Sequence, residues 1–212
     1  MKITIFGATG RTGVQLVIKA LDLGHEVTAV ARYPENLKIR HERLKTMRGD
    51  VLGESPSLET ALVDQDAVLS ALGAPISLSK PVTLYSRGTQ NIIMAMYQQG
   101  VKRLVGISSI GIDLQTDPNI PAVLQRVVMP LIFRNTATDM RLMEERITHS
   151  EMEWTIVRAP RLSTELPTGR YRVAEGISLH KGFKISRADL ADFMVKQLSD
   201  EQYLRKRVSI AY

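Results

Sequence analysis

The sequence predicts an α/β domain built on one doubly wound parallel sheet, and three observations carry that prediction. Runs rich in β-branched residues alternate with amphipathic helical runs along the whole chain. A glycine-rich turn sits between the first strand-like run and the first helical one. No internal repeat and no linker-like stretch divides the 212 residues, a length at which one domain is the default, so residues 1–212 are read as a single unit.

In order, Ile3–Phe6 reads as a strand, Val14–Leu23 as a helix and Val27–Ala31 as a strand, which together make a βαβ unit. Further strands are expected at Lys45–Arg48, Ala67–Ala71, Leu104–Ile107, Trp154–Val157 and Arg207–Ala211. Helices are expected at Ser57–Val63, Ser86–Gln99, Ala137–His149 and Arg187–Leu198. Ser86 is a candidate N-cap, Gly100 a candidate terminator, and Ser186 with Asp189 three residues on a capping-box variant. Met129, Met140, Leu142, Met143 and Ile147 read as the apolar face of one helix. Residues 111–138 are the least regular. Asp117-Pro118, Ile120-Pro121 and Met129-Pro130 predict a loop and broken helix, either a cover over a substrate or a packing insertion.

Composition removes several classes of function. With no cysteine there is no disulfide, thiolate metal site or cysteine nucleophile, and a reducing compartment such as the cytoplasm is expected. His25, His41, His149 and His180 show no metal-ligand spacing, so no metal site is expected. Neither a secretory signal nor an apolar run of roughly 20 residues is read, so no membrane association is expected. The formal charge of +6 is dispersed, without the basic stripe and aromatic partners of a nucleic-acid surface; a moderate positive excess also suits a pocket for a multiply charged small anion.

The chemistry starts at Gly7-Ala8-Thr9-Gly10-Arg11-Thr12-Gly13. The first glycine permits a tight strand-to-helix turn, the middle one lets backbone approach a pyrophosphate, and the last allows the helix to pack closely. The helix N-terminus then offers unpaired N–H groups to phosphate, with the Thr9 and Thr12 hydroxyls as further donors. The position of this loop inside a βαβ unit makes it a dinucleotide-binding signal and the fold Rossmann-like. After the second strand comes Ala31-Arg32-Tyr33, where a site preferring NADH would carry a carboxylate. Arg32 cannot accept from ribose hydroxyls, but it can bind a 2′-phosphate through two parallel bonds, with Arg11 nearby; the expected cofactor is NADPH, with NADH weaker. As the alternative, Arg32 is a plain surface arginine. Asp50 and Val51 follow the third strand, where Asp50 either accepts from the adenine amino group or begins a turn. Ala71, Leu72 and Gly73 follow the fourth strand, where a small residue lets backbone pass beside the cofactor. Ser108 and Ser109 follow the fifth, at the carboxyl edge where ligands bind in such folds; their other reading is bonding to loop backbone.

Together with Gly49-Asp50-Val51, Asp66-Ala67-Val68, Ser86-Arg87-Gly88-Thr89-Gln90-Asn91-Ile92, Thr168-Gly169-Arg170-Tyr171 and Ile185 through Met194, these motifs resemble the atypical short-chain dehydrogenases over nearly the whole chain. The resemblance is nearest to the biliverdin-IXβ reductase and flavin reductase group, and looser to NmrA-like proteins. It implies that Arg32 meets the 2′-phosphate, that Ser109 is the catalytic and substrate-orienting serine beside the nicotinamide, and that Pro160 and Arg161 border the same site. The 111–138 region is longer than that group's pattern.

Ordinary short-chain dehydrogenases protonate the nascent alkoxide with a tyrosine tuned by a lysine four residues on. Tyr33, Tyr85, Tyr97, Tyr171 and Tyr203 are followed there by Leu37, Thr89, Val101, Glu175 and Arg207, so the pair is missing. A planar conjugated acceptor, such as a flavin or linear tetrapyrrole, needs no such acid, and its direct reduction by NADPH is the expected activity. The alternative is a non-catalytic NADP(H) sensor of NmrA-like type, told apart by whether Val123–Phe133 plugs the space over the nicotinamide. The oligomeric expectation is a monomer or weak homo-oligomer.

Overall fold

A computed structural model of the chain describes residues 1–53, 56–113, 123, 128–176 and 179–212. In chain order its elements are β1 (Lys2–Phe6), α1 (Arg11–Asp22), β2 (Glu26–Ala31), β3 (Leu44–Arg48), α2 (Pro56–Leu62), β4 (Ala67–Ser70), α3 (Leu84–Gln99) and β5 (Arg103–Ser109). There follow α4 (Met129–Thr148), β6 (Glu153–Ala159), β7 (Arg161–Ser163), β8 (Arg172–Glu175), β9 (Lys184–Ser186), α5 (Arg187–Lys196) and β10 (Lys206–Ala211).

Eight strands form one sheet in the order β3-β2-β1-β4-β5-β6-β10-β8, parallel throughout except for β8, which runs antiparallel to β10. β7 and β9 make a separate two-stranded parallel ribbon. The sheet is parallel because its strands are joined by helical crossovers, and it is doubly wound because those helices cover both faces. β1 alternates accordingly. Ile3 and Ile5 pack into the core under α1 and α5, while Phe6 packs into the core under α2, α3 and α4. Thr4 shares the Phe6 face, and its buried hydroxyl donates to the Ala61 carbonyl of α2 at 2.7 Å. The strand order reverses between β1 and β4, so the crevice at their carboxyl ends is where the architecture leaves room for a ligand.

Several expectations change in the tertiary structure. The first helix begins at Arg11, with Gly10 as N-cap, so half of the glycine turn is already helical. Ser86 does not cap α3. It lies within the helix, and its hydroxyl bonds to Asp139 of α4, whose carboxylate also accepts from the backbone N–H of Tyr85 at 2.8 Å and of Ser86. A residue from another helix thus satisfies donors that a local cap ordinarily takes. The helix expected from Ala137 starts at Met129, because Pro130 falls in its first turn, where the missing N–H costs no hydrogen bond. Part of the irregular segment is therefore helical; its residues 114–122 and 124–127 lie outside the described ones. On that helix Met143 and Ile147 are buried, whereas Leu142 is exposed.

Other expectations hold. Gly100 terminates α3 with a left-handed φ of 72°. Ser186 caps α5, its hydroxyl accepting from the Asp189 N–H at 3.0 Å. The Asp189 carboxylate reaches further, accepting from the Thr168 N–H at 2.8 Å, the Gly169 N–H at 2.9 Å and the Tyr212 hydroxyl at 2.6 Å. This one carboxylate ties the turn before β8 and the residue after β10 to the start of α5.

Candidate functional site

The carboxyl ends of β1, β2, β4, β5 and β6 open into one cleft of about 840 Å³. The glycine loop forms its floor. Gly7 sits at φ 75°, and a Cβ there would lie 2.4 Å from the Ala71 carbonyl oxygen, so only glycine makes this turn against β4. The Gly10 N–H closes the turn on the Gly7 carbonyl at 3.0 Å. Gly7, Thr9, Gly10, Arg11 and Thr12 all line the cleft. Gly13 does not. It is buried beneath the loop, where a Cβ would stand 2.1 Å from the Gly7 carbonyl oxygen, so its absent side chain is what lets α1 pack this closely.

Arg32 lines the cleft beyond β2 and is exposed, without a hydrogen bond or ion pair to the described residues. Asp50 and Val51 line the cleft beyond β3, and Asp50 begins the turn expected of it. One carboxylate oxygen accepts from the Leu52 N–H at 3.0 Å to start a turn, while the residue still faces the cleft. Ala71, Leu72 and Gly73 line the wall beyond β4, and a Cβ on Gly73 would meet no protein atom within 4 Å.

The two serines expected after the fifth strand are its last two residues, and they differ. The Ser108 side chain is buried, and its hydroxyl has no hydrogen-bond partner although it lines the cleft. A buried unsatisfied hydroxyl is costly, so this one points to a ligand group that completes it. Ser109 accepts from the Gly111 N–H at 3.0 Å, which leaves its own O–H free to donate. Pro160 joins the same wall. Arg161, expected beside it, is exposed and lies outside the cleft; side chains alternate along a strand, and the neighbouring Leu162 faces in instead.

Residues that the motifs did not single out complete the walls. Leu84, Met140 and Leu162 supply apolar surface, and Tyr85 and Arg187 supply polar groups. The Tyr85 hydroxyl accepts from the Ala74 N–H at 2.9 Å. Burial pushes the phenol pKa up against that bond, and the charge of Asp139 adds to the rise, so it stays protonated. Among the described residues that line the cleft there is no lysine. Val123, Val128 and residues 131–133 do not line it either, while 124–127 fall outside the described residues. Among the described residues no cluster of three metal-ligating side chains occurs, and no helix is long and apolar enough to cross a membrane.

Residues 7–201, from the first glycine to beyond α5, match the family described as NAD(P)H-binding. The chain belongs to this NAD(P)H-binding, oxidoreductase-like family. An uncharacterized chloroplastic protein of Arabidopsis thaliana is 30% identical to this NAD(P)H-binding protein over 220 residues, covering 99% of this chain and 76% of that one. Three further curated relatives match over about a third of their own length, at 33%, 32% and 36%. Among solved structures, the oxidoreductase ylbE from Lactococcus lactis superposes with a TM-score of 0.81 at 22% identity, covering 100% of this chain and 90% of that one. A wide-type short-chain dehydrogenase/reductase from Veillonella parvula in complex with NADP superposes at 0.77 with 18% identity, covering 100% and 94%. At these identities the two structures establish the Rossmann-like fold. The local geometry also fits a dinucleotide: a glycine cradle that a Cβ would fill, beside a buried hydroxyl in want of a partner.

Proposed function

We propose that this protein is an NADPH-dependent reductase that passes hydride directly to a planar conjugated acceptor such as a flavin or a linear tetrapyrrole. The observation that carries this reading is the composition of one cleft. It joins the glycine loop and the unpartnered Ser108 hydroxyl to apolar walls from Leu84, Met140 and Leu162, with no lysine among the described lining residues to tune a tyrosine. Such a site suits chemistry in which positioning, rather than a strong general acid, lowers the barrier.

Bound NADPH would supply the hydride. The chain's part is to hold and orient. N–H groups at the start of α1 and the Thr9 and Thr12 hydroxyls take the diphosphate, and Arg32 takes the 2′-phosphate that distinguishes NADPH from NADH. Asp50 reaches the adenine end, while Val51, Ala71, Leu72, Gly73 and Pro160 pack along the cofactor. Ser108 donates to the nicotinamide end, and Ser109 is the candidate catalytic residue, its free O–H orienting the acceptor or the carboxamide. The apolar walls exclude water from the acceptor, whose proton then arrives from solvent at its exposed edge. Residues 1–212 act in this reading as one domain, monomeric or weakly self-associating. The cytoplasm is the proposed compartment, on the cysteine-free composition; the chloroplastic relative makes the chloroplast the competing assignment.

The test is steady-state oxidation of NADPH with FMN, FAD, riboflavin and biliverdin as acceptors. Turnover with at least one, faster with NADPH than with NADH, is expected. Tight NADPH binding without turnover on any of the four would replace the reductase by an NADP(H) sensor of NmrA-like type.

A further inference from the structure

Two arginines are placed where helix electrostatics disfavours them. Arg11 is the first residue of α1 and Arg187 the first residue of α5. The N-terminal end of a helix carries partial positive charge, so a cation there costs stability, and two such helices packed together cost it twice. Both side chains line the cleft. Burial and then the charge of Arg11 lower the pKa of Arg187. Neither makes an ion pair or hydrogen bond with the described residues.

The carboxylates of α5 cannot relieve this pair. Asp189 is taken up by Thr168, Gly169 and Tyr212, and Asp192 by Lys19 at 2.7 Å, Lys196 at 2.7 Å and Tyr171 at 2.8 Å. What remains is a pair of cations lining the cleft next to the glycine loop, Arg11 exposed and Arg187 partly buried, with no carboxylate among the described residues paired to either. A placement that lowers stability and lines a ligand cleft is the signature of a group kept for binding.

We propose that Arg187 and Arg11 form a guanidinium clamp on the diphosphate of the dinucleotide. Arg187 would then complete from the last helix a phosphate site that the glycine loop only begins. The proposal rests on the cofactor reading above and adds to it a residue that lies far outside the glycine motif. It also separates two phosphate duties. Arg32, at the end of β2, meets the 2′-phosphate; Arg11, expected beside it from the sequence, works with Arg187 on the diphosphate instead.

The experiment is calorimetric titration of the full chain and of Arg187→Ala with three probes: NADP, ADP-ribose and adenosine 2′-monophosphate. Arg187→Ala should weaken NADP and ADP-ribose alike by about ten- to a hundredfold, the range for losing charge-assisted bonds, and leave adenosine 2′-monophosphate unchanged. Arg187→Lys should recover part of the loss, and Arg11→Ala with Arg187→Ala should lose less than the two single losses combined. The unliganded melting temperature of Arg187→Ala should equal or exceed that of the wild type, because a repelled cation has been removed. Equal weakening of adenosine 2′-monophosphate would assign Arg187 to the 2′-phosphate and overturn the proposal. So would unchanged NADP binding, or a lowered unliganded melting temperature with all three probes weakened together. A wild-type chain that binds none of the three would overturn the cofactor reading itself.

Discussion

Replacing Gly13 with alanine tests whether the glycine loop is shaped by packing as well as by ligand access. Gly13 has no unusual φ, so alanine meets no backbone strain and would by helix propensity alone stabilise α1 by about 1 kcal/mol. Space decides otherwise. The new Cβ would sit 2.1 Å from the Gly7 carbonyl oxygen, 2.8 Å from the Ala8 Cα and 2.9 Å from the Gly7 carbonyl carbon, all of them backbone atoms with no rotamer to change. Helix or loop must retreat by roughly 1 Å to restore ordinary contact, and overpacking of this kind costs about 1–3 kcal/mol. After the propensity gain the net loss is about 0–2 kcal/mol, or up to about 8 °C in melting temperature for a chain of this size. The displaced atoms belong to the turn proposed to hold the diphosphate, and on that proposal NADPH affinity should fall by about tenfold as well. Gly73→Ala is the control. It lines the same cleft but meets nothing within 4 Å, and its effect on unliganded stability should stay within about 0.5 kcal/mol. Thermal denaturation with fluorescence titration of NADPH reads both quantities. A Gly13→Ala chain with wild-type melting temperature and wild-type affinity would refute the packing argument.

Arg32→Ala should weaken NADPH by about ten- to a hundredfold and leave NADH within about twofold, as expected when one charge-assisted phosphate contact is lost; an unchanged preference in direct binding measurements would remove Arg32 from the site. Asp189 links stability to acid. Burial alone would raise its pKa, yet the N–H groups of Thr168 and Gly169 and the hydroxyl of Tyr212 hold it below the ordinary carboxylate value. Its stabilisation is therefore complete above the ordinary carboxylate range and is lost as pH falls through the lowered folded value. Asp189→Asn should melt several degrees lower at pH 7 and lose less than the wild type on acidification below about pH 4. Parallel pH–melting profiles for the two chains would contradict this account.

What could be read in advance was local. The glycine loop, the end of β2 at Arg32, the serines that end β5 and the Ser186 cap each announce themselves within a few residues, because turn geometry, strand alternation and capping are short-range constraints. The same short range explains the errors. Ser86 has the chemistry of a cap, but whether its helix starts there depends on where the Asp139 carboxylate lies, 53 residues away. Pro130 looks like a breaker unless it falls in a first turn. Arg161 and Leu162 are adjacent, and which of them faces the cleft depends on the register of β7 with β9.

The remaining walls of the cleft depended wholly on tertiary structure. Tyr85 carries no motif; it reaches the cleft because α3 is anchored on α4 and its hydroxyl catches the Ala74 N–H. Arg187 sits inside a recognisable capping segment, yet only the packing of α5 on α1 sets it beside Arg11. By itself the sequence determined the fold class and the glycine turn, since hydrophobic period and glycine spacing act through bonded neighbours. The tertiary structure decided which distant side chains share the cleft with that turn, because their meeting depends on how helices pack across the sheet, and no local pattern encodes that distance.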